Sequence, residues 1–155
     1  MIDIVSKPYG VTIFCDDIRE ELGGKFTYVG VYSNELQIVS KAPVILPKLC
    51  VSVRLLIPDD INVSSIKMNI TQTSSNEKNT LLEHDLEIGE RKDNVRDHLS
   101  AIWHHVFSPF GIKEPCMIRV KAYIGDTEIW LGTLKIVFLS SNNTIYDDSL
   151  TSENH

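Results

Sequence analysis

Cysteine is scarce in this chain, with only three among 155 residues, Cys15, Cys50 and Cys116. Each sits within an apolar run, and none is spaced as C-x-x-C, so neither a disulfide framework nor a zinc ribbon is indicated. Long hydrophobic runs are absent too: no stretch approaches the ~20 apolar residues that a membrane-spanning helix needs. MIDIVSKPYG lacks the basic region and apolar stretch of a signal peptide. No cluster of Lys and Arg stands out, and the net charge is −6, which argues against a partner recognised through a phosphate backbone. G-x-S-x-G, the Walker loop and G-x-G-x-x-G do not occur, so the familiar frames for acyl transfer and nucleotide binding are missing. These absences lead to an expectation of a cytoplasmic protein with reduced, buried thiols, no cofactor and no enzymatic activity.

What is present is period-two alternation. Leu49, Val51, Val53, Leu55 and Ile57 alternate with Lys48, Cys50, Ser52, Arg54 and Leu56, as half-buried strands with one wet face do. Ile66-Met68-Ile70, Leu82-His84-Leu86-Ile88 and Cys116-Ile118-Val120-Ala122-Ile124 repeat the pattern. Gly125-Asp126 lies between the last of these and the run from Glu128 to Phe138, a tight-hairpin signal. The reading is all-β: one antiparallel β-sandwich of seven or eight strands over residues 1–138, immunoglobulin-like or C2-like, followed by a disordered polar tail over 139–155. One segment admits two readings. Val95, Leu99, Ile102, Trp103 and Val106 recur at helical spacing with Asp93 as a cap, whereas a charged loop from Gly89 to His98 and a strand from Ala101 to Phe107 suit the all-β surroundings better. Trp103 and Trp130 are expected in the core, as is the stripe of Phe26, Tyr28 and Tyr32.

The segment from Thr12 to Leu36 concentrates charge. Asp16, Asp17, Arg19, Glu20, Glu21 and Lys25 fall between two apolar runs, with Gly23-Gly24 as the turn. Charged groups at such a place are expected to be paired. Asp16, Asp17, Arg19, Glu20 and Lys25 therefore form the candidate partner-binding or structural cluster. In the structural reading, Asp16 or Asp17 caps a single helical turn, Ile18 to Leu22, and Arg19 pairs with a carboxylate. In the alternative, Asp16 and Asp17 join Asp59 and Asp60 of a neighbouring loop to bind calcium or a small ligand. Calcium loops space their acids at alternating positions around a glycine, and this run does not. His104 and His105 are adjacent, so on a strand they point to opposite faces and do not share a metal. Negative charge beside Cys15 raises its thiol pKa and makes it a poor nucleophile.

The run FCDDIREELGGKFTYVGVY, then LPKLCVSVRLLIP, then EPCMIRVKAYIGDTEIWLGTLKI resembles a family of small prokaryotic and phage-associated proteins known as a domain of unknown function. The resemblance covers roughly residues 10–138, and CDDIR-x-E-x-GGK is its most specific motif. It implies a β-sandwich in a non-secreted protein and supplies no activity or catalytic residue. The function expected is a non-enzymatic protein-binding or assembly module, taking a protein partner or a second copy of the chain, with neither nucleic acid nor membrane involved.

Overall fold

A computed structural model describes residues 7–89 and 98–140. Eleven strands, and no helix among the described residues, account for the regular structure: β1 (Tyr9–Glu21), β2 (Lys25–Tyr32), β3 (Glu35–Ile38), β4 (Val44–Leu46), β5 (Leu49–Pro58), β6 (Ser65–Ser74), β7 (Lys78–Glu87), β8 (His98–Phe107), β9 (Phe110–Ile112), β10 (Cys116–Ile124) and β11 (Thr127–Phe138). The first sheet runs β2-β1-β5-β8 and the second β3-β11-β10-β6-β7, with β4 and β9 as a separate pair. The expected all-β sandwich is present, with more strands than the alternation counted. The additional ones, β3, β4 and β9, are only three or four residues long, too short to carry a period. The second sheet is also mixed, because β3 lies parallel to β11.

Alternation explains the core. Leu49, Val51, Val53, Leu55 and Ile57 are almost wholly buried, as are Ile66, Met68, Ile70, Ile118, Val120 and Ala122 of the facing sheet. Close approach of the sheets falls where β1 meets β11: a Cβ on Gly132 would sit 2.8 Å from the Cβ of Thr12. The hairpin at Gly125-Asp126 forms as the sequence predicts, with Gly125 at φ 56° and Ile124 opposite Thr127. The strand reading of the ambiguous segment is correct for Ala101 to Phe107, and the strand starts earlier than expected, at His98, pairing with β5 throughout. Residues 90–97 and 141–155, the rest of that loop and nearly all of the expected tail, lie outside the described residues. Pairing continues one residue past the expected boundary at 138, since the Leu139 N–H donates to the Ile38 carbonyl at 2.9 Å.

Two departures break the alternation. In β11, Ile129 and Leu131 are buried, yet so are Leu134 and Ile136, and the register against β10 shifts between Val120 and Lys121. The extra residue is a bulge, which turns Trp130 outward. Trp130 is 55% exposed, with the Lys121 Nζ 4.1 Å from its ring, and is not the core anchor expected. The second departure lies in β1, which bends, and it shapes the candidate site.

Candidate functional site

Within β1, Thr12 and Phe14 face the second sheet, so Cys15 faces out, opposite Cys50 of β5. Beyond this rung β1 loses contact with β5 and continues paired with β2 alone. If it ran straight, Glu20 and its partner Phe26 would lie about 16 Å past the Cys15–Cys50 rung. Instead the Phe26 ring is 4.4 Å from that of His104, and the Tyr28 hydroxyl is 3.0 Å from Ser52 Oγ. His104 and Ser52 are partners on the outer face, on the opposite side of that rung. The far half of the β1–β2 hairpin therefore folds back as an arm across the outer face of its own sheet. This corrects the expected single helical turn: Ile18 to Glu21 are strand, and only Leu22 to Gly24 form the turn. It also corrects the expected wet face of β5, because Cys50 and Ser52 are buried on that side. Phe26 and Tyr28, half-buried, pack in this third layer and not between the sheets.

The root of the arm is built from the charged residues. Gly30, opposite Asp16, has φ 65°, and a Cβ there would fall 2.0 Å from Asp16 Oδ2. The Asp16 carboxylate lies over this glycine and accepts the Tyr32 hydroxyl. Burial first, and then this bond, push the Tyr32 phenol well above its ordinary pKa. Asp17 accepts Lys48 Nζ at 2.7 Å and Arg19 Nε at 3.3 Å, and those cations, Lys48 foremost, hold its carboxyl below the usual range. The pairs are solvent-accessible, so they fix orientation more than they stabilise. Lys25 sits opposite Glu21 at the turn, and Glu20 opposite Phe26.

The structure thus gathers Asp16, Asp17 and Arg19 at the bend with Lys48, a member the sequence reading missed, and spreads Glu20 and Lys25 along the arm. It does not bring Asp59 and Asp60 to them. Those residues follow Pro58 at the far end of β5, a ten-residue strand that spans about 30 Å. Among the described residues no group of three or more His, Cys, Asp or Glu side chains is arranged to hold a metal ion.

Beneath the bend lie Cys15 and Cys50, both fully buried. Cys15 Sγ donates to the Asp17 carbonyl at 3.4 Å and Cys50 Sγ to the Asp16 carbonyl at 3.6 Å. Burial, and next the neighbouring Cys50, push the Cys15 thiol up to about 11. His104 is closed off under Phe26 and Tyr28 with neither ring nitrogen hydrogen-bonded, and burial lowers its pKa against the opposing pull of Glu20. His105 points the other way, stacked on Trp103, as the alternation requires.

Past the arm the outer face stays open: Tyr9, Val11 and Ile102 are exposed around Arg54, while Val106, also exposed, lies on the root side of the arm, opposite Cys50. The outer face of the second sheet is instead laced with ion pairs, Lys67 with Glu83 and Lys121 with Glu128. There Ser65, Lys67, Asn69, Glu83, Asp85 and Tyr123 line a shallow polar groove of about 440 Å³.

A family of unknown function, DUF6941, matches residues 10–137, from the start of β1 to the end of β11. The chain belongs to this family. The DUF6941 match takes in both sheets, the arm and its charged root. No curated protein matches the chain. Among the described residues no helix is long and apolar enough to cross a membrane.

Proposed function

We propose that this DUF6941 protein is a non-enzymatic protein-binding or assembly module, cytoplasmic and immunoglobulin-like in its sandwich, that takes a protein partner along β8 and the apolar face beside it. The observation that carries this reading is a contrast among the four edge strands of the two larger sheets. Natural sheets blunt their edges with charge, proline, bulges or shortness, because unpaired backbone groups template the addition of another strand. β2 carries Lys25 and the left-handed Gly30. β3 has four residues. β7 carries Lys78, Glu83, Asp85 and Glu87, and its register shifts against β6. β8, HLSAIWHHVF, has no Asp, Glu, Lys, Arg, Pro or Gly, and it pairs with β5 at ten consecutive positions without a shift. Strand addition there would set Ile102 and Val106 against the incoming chain, with backbone bonds supplying affinity and side-chain pockets specificity.

Ile102→Lys and Val106→Lys place the missing charge on the outer face and leave the core side of β8 intact. Sedimentation velocity over a concentration series, with affinity capture compared between parent and variants, tests the proposal. Self-association or a captured partner present with the parent and lost with folded variants supports it. Association identical in parent and variants overturns it.

A further inference from the structure

We propose that Cys15 and Cys50 are a modification site, a cross-strand dithiol that a hydroperoxide converts to a disulfide at the root of the arm. The two residues are direct partners in the antiparallel β1–β5 ladder, so their side chains leave the sheet on the same side. Such partners have Cα atoms about 4.5–5.5 Å apart. That range lies within the ~4.4–6.8 Å over which disulfides form without backbone movement. The thiols donate to the carbonyls of consecutive residues, Asp17 and Asp16, which holds both sulfurs under the same two-residue stretch of the bend. Cys116 is in the other sheet, where Gln72 Nε2 donates to its sulfur at 3.3 Å, and it competes for neither partner.

The chemistry balances with one peroxide. The Cys50 thiolate attacks one peroxide oxygen; the O–O bond breaks, hydroxide leaves, and Cys50 becomes a sulfenic acid. The Cys15 thiolate then attacks that sulfur and displaces a second hydroxide, so that two thiols and one hydroperoxide give a disulfide, water and the reduced alcohol or water. Burial raises both thiols, and Asp16 and Asp17 add to it; Cys50 takes the first step because it alone of the two has a cation, Lys48, opposing that rise. The bond would close a loop between positions 15 and 50 and pin β1 to β5 where the arm begins.

The full-length chain, reduced, desalted and treated with hydrogen peroxide at neutral pH, is quenched with an alkylating reagent and digested without reductant for mass spectrometry. The expected product is one linked pair of peptides holding Cys15 and Cys50, with Cys116 alkylated. In Cys15→Ser, Cys50 should accumulate as a sulfenic acid trapped by dimedone; in Cys50→Ser, Cys15 should remain mainly a thiol. Cys15 and Cys50 recovered separately alkylated from the folded parent overturn the proposal. So does a mixture of all three possible pairings equal to that from the urea-unfolded chain.

Discussion

The ring of Phe26 meets the imidazole of His104 edge to face at 4.4 Å, although β2 and β8 are the opposite ends of one four-stranded sheet. The contact exists because the hairpin folds over the sheet, and it leaves both nitrogens of His104 without a partner. An imidazole in that setting is held neutral by desolvation.

Acid should therefore loosen the arm. The folded pKa of His104 lies below its ordinary 6.5, so the unfolded chain binds the proton first as pH falls. Stability is complete above about pH 6.5 and declines as pH drops toward the lower folded value. His105 shifts in the same direction, through burial first and His84 second. Melting points from pH 7.5 to 5 should fall in the parent and fall less in His104→Phe. Equal slopes would show that His104 is not sealed under the arm.

Gly30→Ala should destabilise the protein. The left-handed backbone costs an L-residue roughly 1–2 kcal/mol, and the new methyl displaces the Asp16 carboxylate. The second part should vanish in Gly30→Ala/Asp16→Ala, giving a favourable coupling in a double-mutant cycle by denaturant titration. Strict additivity would separate the two residues.

The parity reversal in β11 predicts a sharp contrast between two large side chains. Trp130→Ala loses an exposed ring, a bond to the Glu128 carboxylate and the Lys121 cation contact, the last worth about 0.5–1 kcal/mol. Ile118→Ala opens a cavity between the sheets and should cost about 2–5 kcal/mol. A larger loss for Trp130 would place the bulge wrongly.

Asp17 gives a separate acid limb. Its carboxyl is held below the ordinary 3.8 chiefly by Lys48, so its contribution is present above that value and disappears as pH falls through the lower folded one. Lys48→Met removes the main cause and should flatten the stability curve below pH 4, leaving the limb near pH 6 unchanged.

Much of this fold was legible because period two is a strong signal wherever a strand keeps one face. The core faces of β5, β6 and β10 follow it residue by residue, and the histidine pair divides as alternation requires. The failures cluster where a strand bulges or bends. Trp130 was assigned to the core as a large aromatic side chain, and the bulge at Leu131 turns it outward. The arm was missed for a similar reason: Asp16 to Glu21 read as a charged break between strands, when β1 in fact bends and continues. In both places a lone glycine stands inside a strand pattern, Gly132 in WLGTL and Gly30 in FTYVGVY. Such a glycine marks a bulge or a close backbone approach, and it is the signal that was available. Lys48 carried no sequence signal, since its place beside Asp17 depends on the register between strands more than thirty residues apart.

The parallel pairing of β3 with β11 has a consequence for how the chain is made. Glu35 lies beside Lys135 and Ile38 beside Phe138, partners one hundred positions apart. β11 also separates β3 from β10, so nothing in the first four-fifths of the chain offers β3 its place in the sheet. A ribosome must deliver the last strand before this early segment finds a neighbour. Pairings so distant are slow to close, and during synthesis Leu36 and Ile38 wait as the exposed end of an unfinished sheet.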